Sequence, residues 1–376
     1  MFKKKIKFAP EKPIKLLIIK TKVLFLLFFT VSLTYMPFLF AKDGDSKSKN
    51  LKEELTEYIL HHVKDSHDFS LLSYTDEKTG EKVYLGIPLP IILWDDGIKI
   101  FSSSRFKHGK ALAKVDDKYY KLYHSKIYST DINGTIIYDQ SGHPTNSAPL
   151  DFSITKSVVS MILISILMFF LFNSLAKSYS RNGLVAKGIG RFFEPIVLYI
   201  RDEIAIPNIG EKHYKKYMSF LLTLFFFIWF CNMIGLTPLG INVTGNIAVT
   251  FCLALITFVI TSVSGTSYYW KHIFWMPGMP IYMKLILAPI ELLGVFIKPF
   301  TLMIRLYANI TAGHITMMTL ISMIFIFRNW LGSSLSFALA FFISIIEILV
   351  ALLQAYIFTI LSALYFGFAV EEEHDH

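Results

Sequence analysis

From Ile281 to Phe327 the sequence is almost continuously apolar, yet Arg305 lies more than 20 residues from either end of that stretch. A stretch of this length is a bilayer-crossing helix. A guanidinium keeps its proton there, so an anion or water must meet it. From so deep a position its side chain cannot snorkel to the interface. Arg305 is therefore a functional candidate before anything else about the chain is known. Lys284, Glu291, Lys298 and Arg305 recur every seven residues, a spacing that returns a helix to nearly the same face. Asn309 extends this stripe by one turn. For Lys284 and Lys298 a solvated face or a snorkelling end explains the charge equally well.

Hydrophobic residues make up 53% of the 376 and charged ones 17%, the balance of a membrane protein. The net charge of +9 is not a nucleic-acid signal, because eight lysines against Glu11 place +7 of it within residues 1–22. That basic head, the uncharged run Val23 to Phe40 and then Ala41 read as a secretory signal, or as an anchor if it is not cut. Residues 1–41 are assigned to it. Residues 42–152 are polar and form an external module. Leu51 to His62 is expected to be a short amphipathic helix. Turns at Lys78-Thr-Gly-Glu81 and Asp131-Ile-Asn133-Gly134-Thr135 separate β-prone runs such as Lys82 to Leu85 and Thr135 to Tyr138. Asn133-Gly134 fits a type I′ turn and equally a glycosylation pattern. The histidines here (His61, His62, His67, His108, His124, His143) lack compact ligand spacing and read as exposed polar residues rather than a metal site. Cys231 and Cys252 fall in apolar segments and read as packing residues.

Residues 153–376 form the membrane region. Spans are expected at about 154–175, 217–236 and 247–267, with a surface amphipathic helix within 183–206. Lys177, Arg181, Lys187 and Arg191 put the flank after the first span in the cytoplasm, and the uncharged link 237–246 suits the external side. The last two apolar stretches, 281–327 and 335–370, are about twice the length needed to cross a bilayer. Pro289 and Pro299 could break the first. The only strong turn signal is Arg328-Asn-Trp-Leu-Gly332-Ser-Ser, which favours a hairpin of two long tilted helices. The fold class is thus an all-α polytopic membrane protein with five spans, a surface helix and a small β-rich external module.

Within the hairpin the ionisable groups are Glu291, Arg305, His314 and Glu347, accompanied by Asn309 and Gln354. His314 is nine residues past Arg305, on the opposite side of a helix and about 13 Å further along. Glu347 and Gln354, seven apart, share a face. A histidine and a carboxylate aligned with amides are the parts of a proton path. A buried histidine–glutamate pair that merely locks two helices uses the same residues. Arg305 cannot reach Glu291, about 21 Å away along a helix. Its simplest partner is a titratable carboxylate on another subunit, whose proton release a fixed cation favours.

Three blocks carry a family resemblance: Glu291-x6-Lys298-Pro299-x5-Arg305-Leu-x2-Asn309-x3-Gly313-His314, Glu347-x6-Gln354-Ala-Tyr-Ile-Phe358, and Asn232 ahead of Pro238. With the acidic tail Glu371-Glu-Glu-His374 they make residues 154–376 resemble subunit a of the F-type ATP synthases. The resemblance implies helices curved around a rotating ring of c subunits, peripheral-stalk b subunits and, indirectly, a soluble ATPase head as partners, and no cofactor or metal. It implies that Arg305 separates two half-channels. Asn232, Asn309, His314, Glu347 and Gln354 would line the external one, and Glu291 and Thr301 the cytoplasmic one. Some family members exchange the acid and the histidine between the positions of His314 and Glu347. Gly235 stands where some relatives carry an aspartate, which leaves the external entrance to other groups. The signal and external module match an extension of some Gram-negative versions only loosely. The chain is expected to be a non-catalytic subunit of a bacterial inner membrane, since no Gly-rich phosphate loop is present. The competing readings are a proton-coupled secondary transporter, which lacks the expected internal repeats, and an envelope scaffold, which leaves the buried charges without a purpose.

Overall fold

The computed structural model describes residues 65–75, 82–107, 109, 111–140, 142–182, 188, 190–237, 241–276, 280–326 and 330–371. The expected signal, the 51–62 helix, the turn at 78–81, His61, His62, His108, Pro238 and the last five residues lie outside them.

Among the described residues eight short strands precede the membrane helices: β1 (Asp68–Thr75), β2 (Lys82–Pro88), β3 (Pro90–Trp94), β4 (Ile98–Ser102), β5 (Ala113–Val115), β6 (Lys118–Tyr123), β7 (Lys126–Thr130) and β8 (Leu150–Asp151). They form a β1-β2 pair and two three-stranded sheets, β4-β3-β8 and β5-β6-β7. The β-rich expectation for this region holds. In β3 and β4 the pair Ile91–Phe101 faces inward, since alternate residues share a face. There they meet Phe106, Tyr120 and Ile127 in a small core.

Two turn expectations change. Asn133 does not take a positive φ, although Gly134 does at +67°, so this is not a type I′ turn. Thr135 to Tyr138 is not a strand either, keeping only a Tyr138–Pro144 bridge. The I′ pattern of two positive φ values occurs instead at His124 (47°) and Ser125 (65°), which join the paired ends Tyr123 and Lys126. Cross-strand packing holds these residues in a conformation that their side chains disfavour.

His67 corrects the exposed-histidine expectation. It is buried, and its Nε2 lies 2.7 Å from Asp151 Oδ2. Among the described residues no cluster of three or more His, Cys, Asp or Glu could hold a metal. Burial raises the Asp151 carboxyl, but hydrogen bonds from His67 and Ser153 outweigh it and hold the group below its ordinary value. Because the folded value is the lower one, the stabilisation is full above the unfolded pKa of about 3.9 and is lost as pH falls through the folded value. Hydrogen-exchange protection of residues 150–157, corrected for intrinsic rate, should hold down to pH of about 4 and collapse below it. His67→Ala should already have lost that protection at neutral pH. Identical profiles for the two proteins would refute a stabilising role for the pair.

The helices are α1 (Lys156–Asn182), α2 (Gly190–Tyr199), a π turn (Ile200–Ala205), α3 (Ile206–Ile209), α4 (Tyr214–Gly235), α5 (Ile247–Ser264), α6 (Ser267–Phe274), α7 (Ile281–Ile326) and α8 (Trp330–Val370). Of these α1, α4, α5, α7 and α8 are long and apolar enough to cross a membrane, as the sequence pattern requires. Within 183–206, α2 and the π turn bury Ile200, Ile204 and Ala205. Arg201 and Asp202, both partly exposed, pair at 2.7 Å. The helix α6 was not expected; Thr266 starts it, its hydroxyl accepting from the Tyr269 amide.

Through Pro289 and Pro299 α7 stays unbroken for 46 residues. Proline is tolerated inside membrane helices because local adjustments and neighbouring groups satisfy the freed carbonyls. At the expected turn, Gly332, Ser333 and Ser334 belong to α8. Helix bonding outweighs the turn composition there, and Ser333 donates across to Ile324 O at 3.0 Å.

An aromatic cluster around Phe226 of α4 holds the bundle together, with Phe172 of α1 at 5.1 Å and Phe193 of α2 at 5.7 Å between ring centres. On α8, Phe366 stacks on Tyr217 at 4.8 Å. The end of α8 is fastened to the start of α6, where Thr266 N donates to Ala369 O and Thr266 Oγ1 to Glu371 O, each at 2.9 Å.

Candidate functional site

Of the expected polar residues, His314 and Glu347 lie at the contact between α7 and α8, whereas Thr301 and Asn309 are exposed on another side of α7. These helices run antiparallel, since Ile324 meets Ser333, Met317 meets Ser344, Gly313 meets Glu347 and Lys298 lies over the ring of Tyr365. Arg305 sits half-buried near the middle of α7. Among the described residues no hydrogen bond or ion pair reaches its guanidinium from this chain.

Arg305 shares one side of α7 with Thr301, Ala308, Asn309, Ala312 and Thr316, which span about 100° of arc at 100° per residue. All five companions are exposed and none is bulky. Leu302, Leu306, Ile310 and His314, at about 60°, 100°, 140° and 180° around the helix from Arg305, are buried in the bundle. The helical wheel contained this small-residue stripe, but only burial shows that it faces outward.

His314 is 5% exposed and its Nδ1 has no hydrogen-bond partner. A Cβ on Gly235 would stand 3.4 Å from His314 Nε2 and 3.4 Å from Ile241 O. The residue without a side chain at the end of α4 therefore forms the wall of the histidine's niche. On the preceding residue, Gly313, a Cβ would overlap the carboxylate of Glu347. Glu347 thus presses on the α7 backbone while His314 points toward α4. The two titratable groups are neighbours across one peptide unit, with no direct hydrogen bond between them among the described residues.

Asn232, 2% exposed, bridges three elements. Its Nδ2 donates to Ala351 O of α8 at 3.1 Å, and its Oδ1 accepts from Thr244 Oγ1 at 2.7 Å. Gln354, one turn beyond Ala351, is buried on α8. The structure therefore brings Asn232, Gln354, His314 and Glu347 to the α4–α7–α8 junction. Thr244, in the loop after α4, was not foreseen because nothing local in the sequence marks it. Losing the Asn232 amide would strand the buried Thr244 hydroxyl, at about 1–3 kcal/mol, while Ala351 O keeps its bond within α8.

Glu291 and Lys298 lie toward the other end of α7. Glu291 is half-buried beside α6. Burial, and then its carboxylate, raise the phenol of Tyr269. Lys298 Nζ lies 5.7 Å from the Tyr365 ring centre and 5.8 Å from that of Phe368, a cation–π setting. It lines a cavity of about 20 Å³ with Thr257, Thr261, Tyr269 and Tyr365, enough for about one water. Lys284 sits over the Trp275 ring at 4.7 Å. Glu291 and Thr301 are thus separated along the helix from the His314–Glu347 cluster, with Arg305 between them.

The family described as ATP synthase A chain matches residues 158–367, and a domain of unknown function matches residues 58–152. ATP synthase subunit a of Chloroherpeton thalassium is 42% identical over 233 residues, covering 60% of this chain and 69% of that one. The subunit a of Myxococcus xanthus is 43% identical over 236 residues, covering 60% and 76%. That of Chlorobium phaeobacteroides (strain DSM 266) is 38% identical over 284 residues, covering 72% and 81%. With a family match across more than half its length and relatives covered over two thirds or more of theirs, the chain belongs to the ATP synthase A chain family, whose members are non-catalytic membrane subunits.

Proposed function

We propose that this chain is the proton-conducting stator of a rotary ATP synthase in a bacterial inner membrane, and that Arg305 divides its two half-channels. The observation that carries the reading is a cation in mid-helix with no anion of its own chain among the described residues, set in an outward-facing stripe of small side chains. Such a stripe fits close approach by another helix bearing a carboxylate. Protons enter from outside past Asn232, Gln354, His314 and Glu347, with Asn309 beside them. They load a carboxylate on the ring of c subunits, travel around with it, and leave past Thr301 and Glu291. Arg305 attracts the deprotonated carboxylate and repels protons, which closes the direct route.

At about 1.5 Å per residue, α7 spans about 69 Å and α8 about 62 Å, so both must tilt strongly across a core of about 30 Å. We assign them as the tilted hairpin that flanks the ring, with α2 lying on the cytoplasmic surface. Residues 1–41 act as the signal, 42–152 form a periplasmic module and 153–376 the membrane domain, with the C-terminus cytoplasmic. Peripheral-stalk b subunits hold the chain still, and the soluble ATPase head engages it indirectly.

Extraction of the native chain in mild detergent tests the assignment. A ring of small two-helix subunits and an ATPase head should copurify in constant proportion. Recovery of the chain alone with proton-coupled solute uptake would favour the secondary transporter instead.

A further inference from the structure

Strand β3, Pro90-Ile-Ile-Leu-Trp94, is apolar at every position, the pattern of a strand covered on both faces. Only one face is covered. Ile91, Leu93 and Phe101 fill the core of the module. The other face of the β4-β3-β8 sheet presents Ile92, Trp94, Ile98, Ile100, Leu150 and Phe152. Register places them together: Trp94 opposes Ile98 and Leu150, and Ile92 opposes Ile100. Phe152 N donates to Ile92 O. Apart from Ile92, each of these residues is 56 to 67% exposed. An apolar sheet face of this kind marks an interaction surface.

The connection to α1 says what covers it. Hydrogen bonding to β3 continues past β8, with Ile92 N donating to Ser153 Oγ at 3.1 Å and Ile154 N to Pro90 O at 3.2 Å. The first residue of α1 is itself tied down, Lys156 N donating to Ser66 O at 3.0 Å. The sheet is therefore fixed to the start of a membrane span rather than hung from a linker. Four extended residues from Phe152 to Lys156 cover at most about 13 Å. A sheet lying along the membrane thus reaches the headgroup layer, about 5–8 Å thick on each side of the hydrocarbon. Further down α1, Ile162, Leu163, Phe169 and Phe170 are likewise exposed. Tryptophan on such a face is the residue type enriched at the membrane interface.

We infer that this sheet face rests in the bilayer, with Trp94, Ile100 and Phe152 at the headgroup–acyl boundary of the leaflet in which α1 begins. The module is a membrane-seated foot that holds the outer end of α1, and this assignment is independent of the proton path.

The test uses the assembled complex in phosphatidylethanolamine–phosphatidylglycerol nanodiscs, with Cys231 and Cys252 replaced. Nitroxide labels are attached at Ile100→Cys, at Phe152→Cys, at Lys126→Cys as a solvent reference and at Phe169→Cys as a lipid reference. Collision rates with oxygen and with a water-soluble nickel chelate are compared. Labels at Ile100 and Phe152 should favour oxygen severalfold over the label at Lys126 and approach the ratio at Phe169. A nickel preference like that at Lys126 places the face in water and overturns the proposal. Exclusion of both reagents shows a protein partner on the face and overturns it equally. Ile98→Cys, on the same face, replaces either variant that fails to assemble.

Discussion

Membranes carrying Arg305→Ala should assemble the complex at normal levels yet make ATP from a proton gradient at a rate reduced by roughly a hundredfold or more. That is the scale of deleting one preorganised charge from a site where charge moves. Assembly should survive because the guanidinium bonds to no group of its own chain among the described residues and lies beside an exposed stripe. The side chain therefore supports little packing. Arg305→Lys should fail almost as badly. A compact ammonium lacks the planar fork and can give up its proton in an apolar setting. The measurement is gradient-driven synthesis in inverted vesicles, with the chain quantified by immunoblot. Normal synthesis by either variant would remove Arg305 from the mechanism, and loss of the assembled complex would show that it is a packing residue.

Gly313→Ala should rank next. One methyl group there occupies the position of the Glu347 carboxylate, the far end of a flexible side chain that can move aside at little cost to the packing of the helices. Glu347 must then swing away from the α7 backbone. A displacement of this size at a transfer site lowers flux by roughly tenfold to a hundredfold. Passive proton conduction through the membrane sector, measured by dye quenching after removal of the ATPase head, reads the effect directly. Gly294→Ala is the control, because a Cβ at that position of the same helix meets nothing within 4 Å. Equal behaviour of the two variants would mean that the position of Glu347 does not matter. Exchanging the pair, His314→Glu with Glu347→His, should recover part of the flux lost in either single variant if they titrate as a unit. Since no direct bond joins them, that coupling would have to pass through groups or water between them.

The spans were legible because each is a local property. A bilayer requires about 20 apolar residues with internal hydrogen bonding, and α1, α4, α5, α7 and α8 all meet that condition. The isolation of Arg305 in the sequence was equally informative, since no neighbour at helical spacing could neutralise it. Boundaries were less legible. Gly332-Ser-Ser has turn composition, yet α8 absorbs it. The external module departed further. His124-Ser125 forms the two-residue hairpin turn, while Asp131 to Gly134 closes a turn of another type in which Gly134 N donates to Asp131 O, because strand pairing on both sides decides which residues are forced to positive φ.

By itself the sequence determined the membrane class, the five apolar spans after residue 153 and Arg305 as the cation deepest in its apolar stretch, since hydrophobic length and heptad spacing act along the chain. The tertiary structure decided which groups meet. That Gly235 walls the niche of His314, that Gly313 admits Glu347, and that Asn232 ties Thr244 to α8 are contacts between residues 12 to 119 positions apart. No periodicity encodes them. Helix packing brings these backbones close enough that a missing Cβ, rather than a charged side chain, shapes the candidate path.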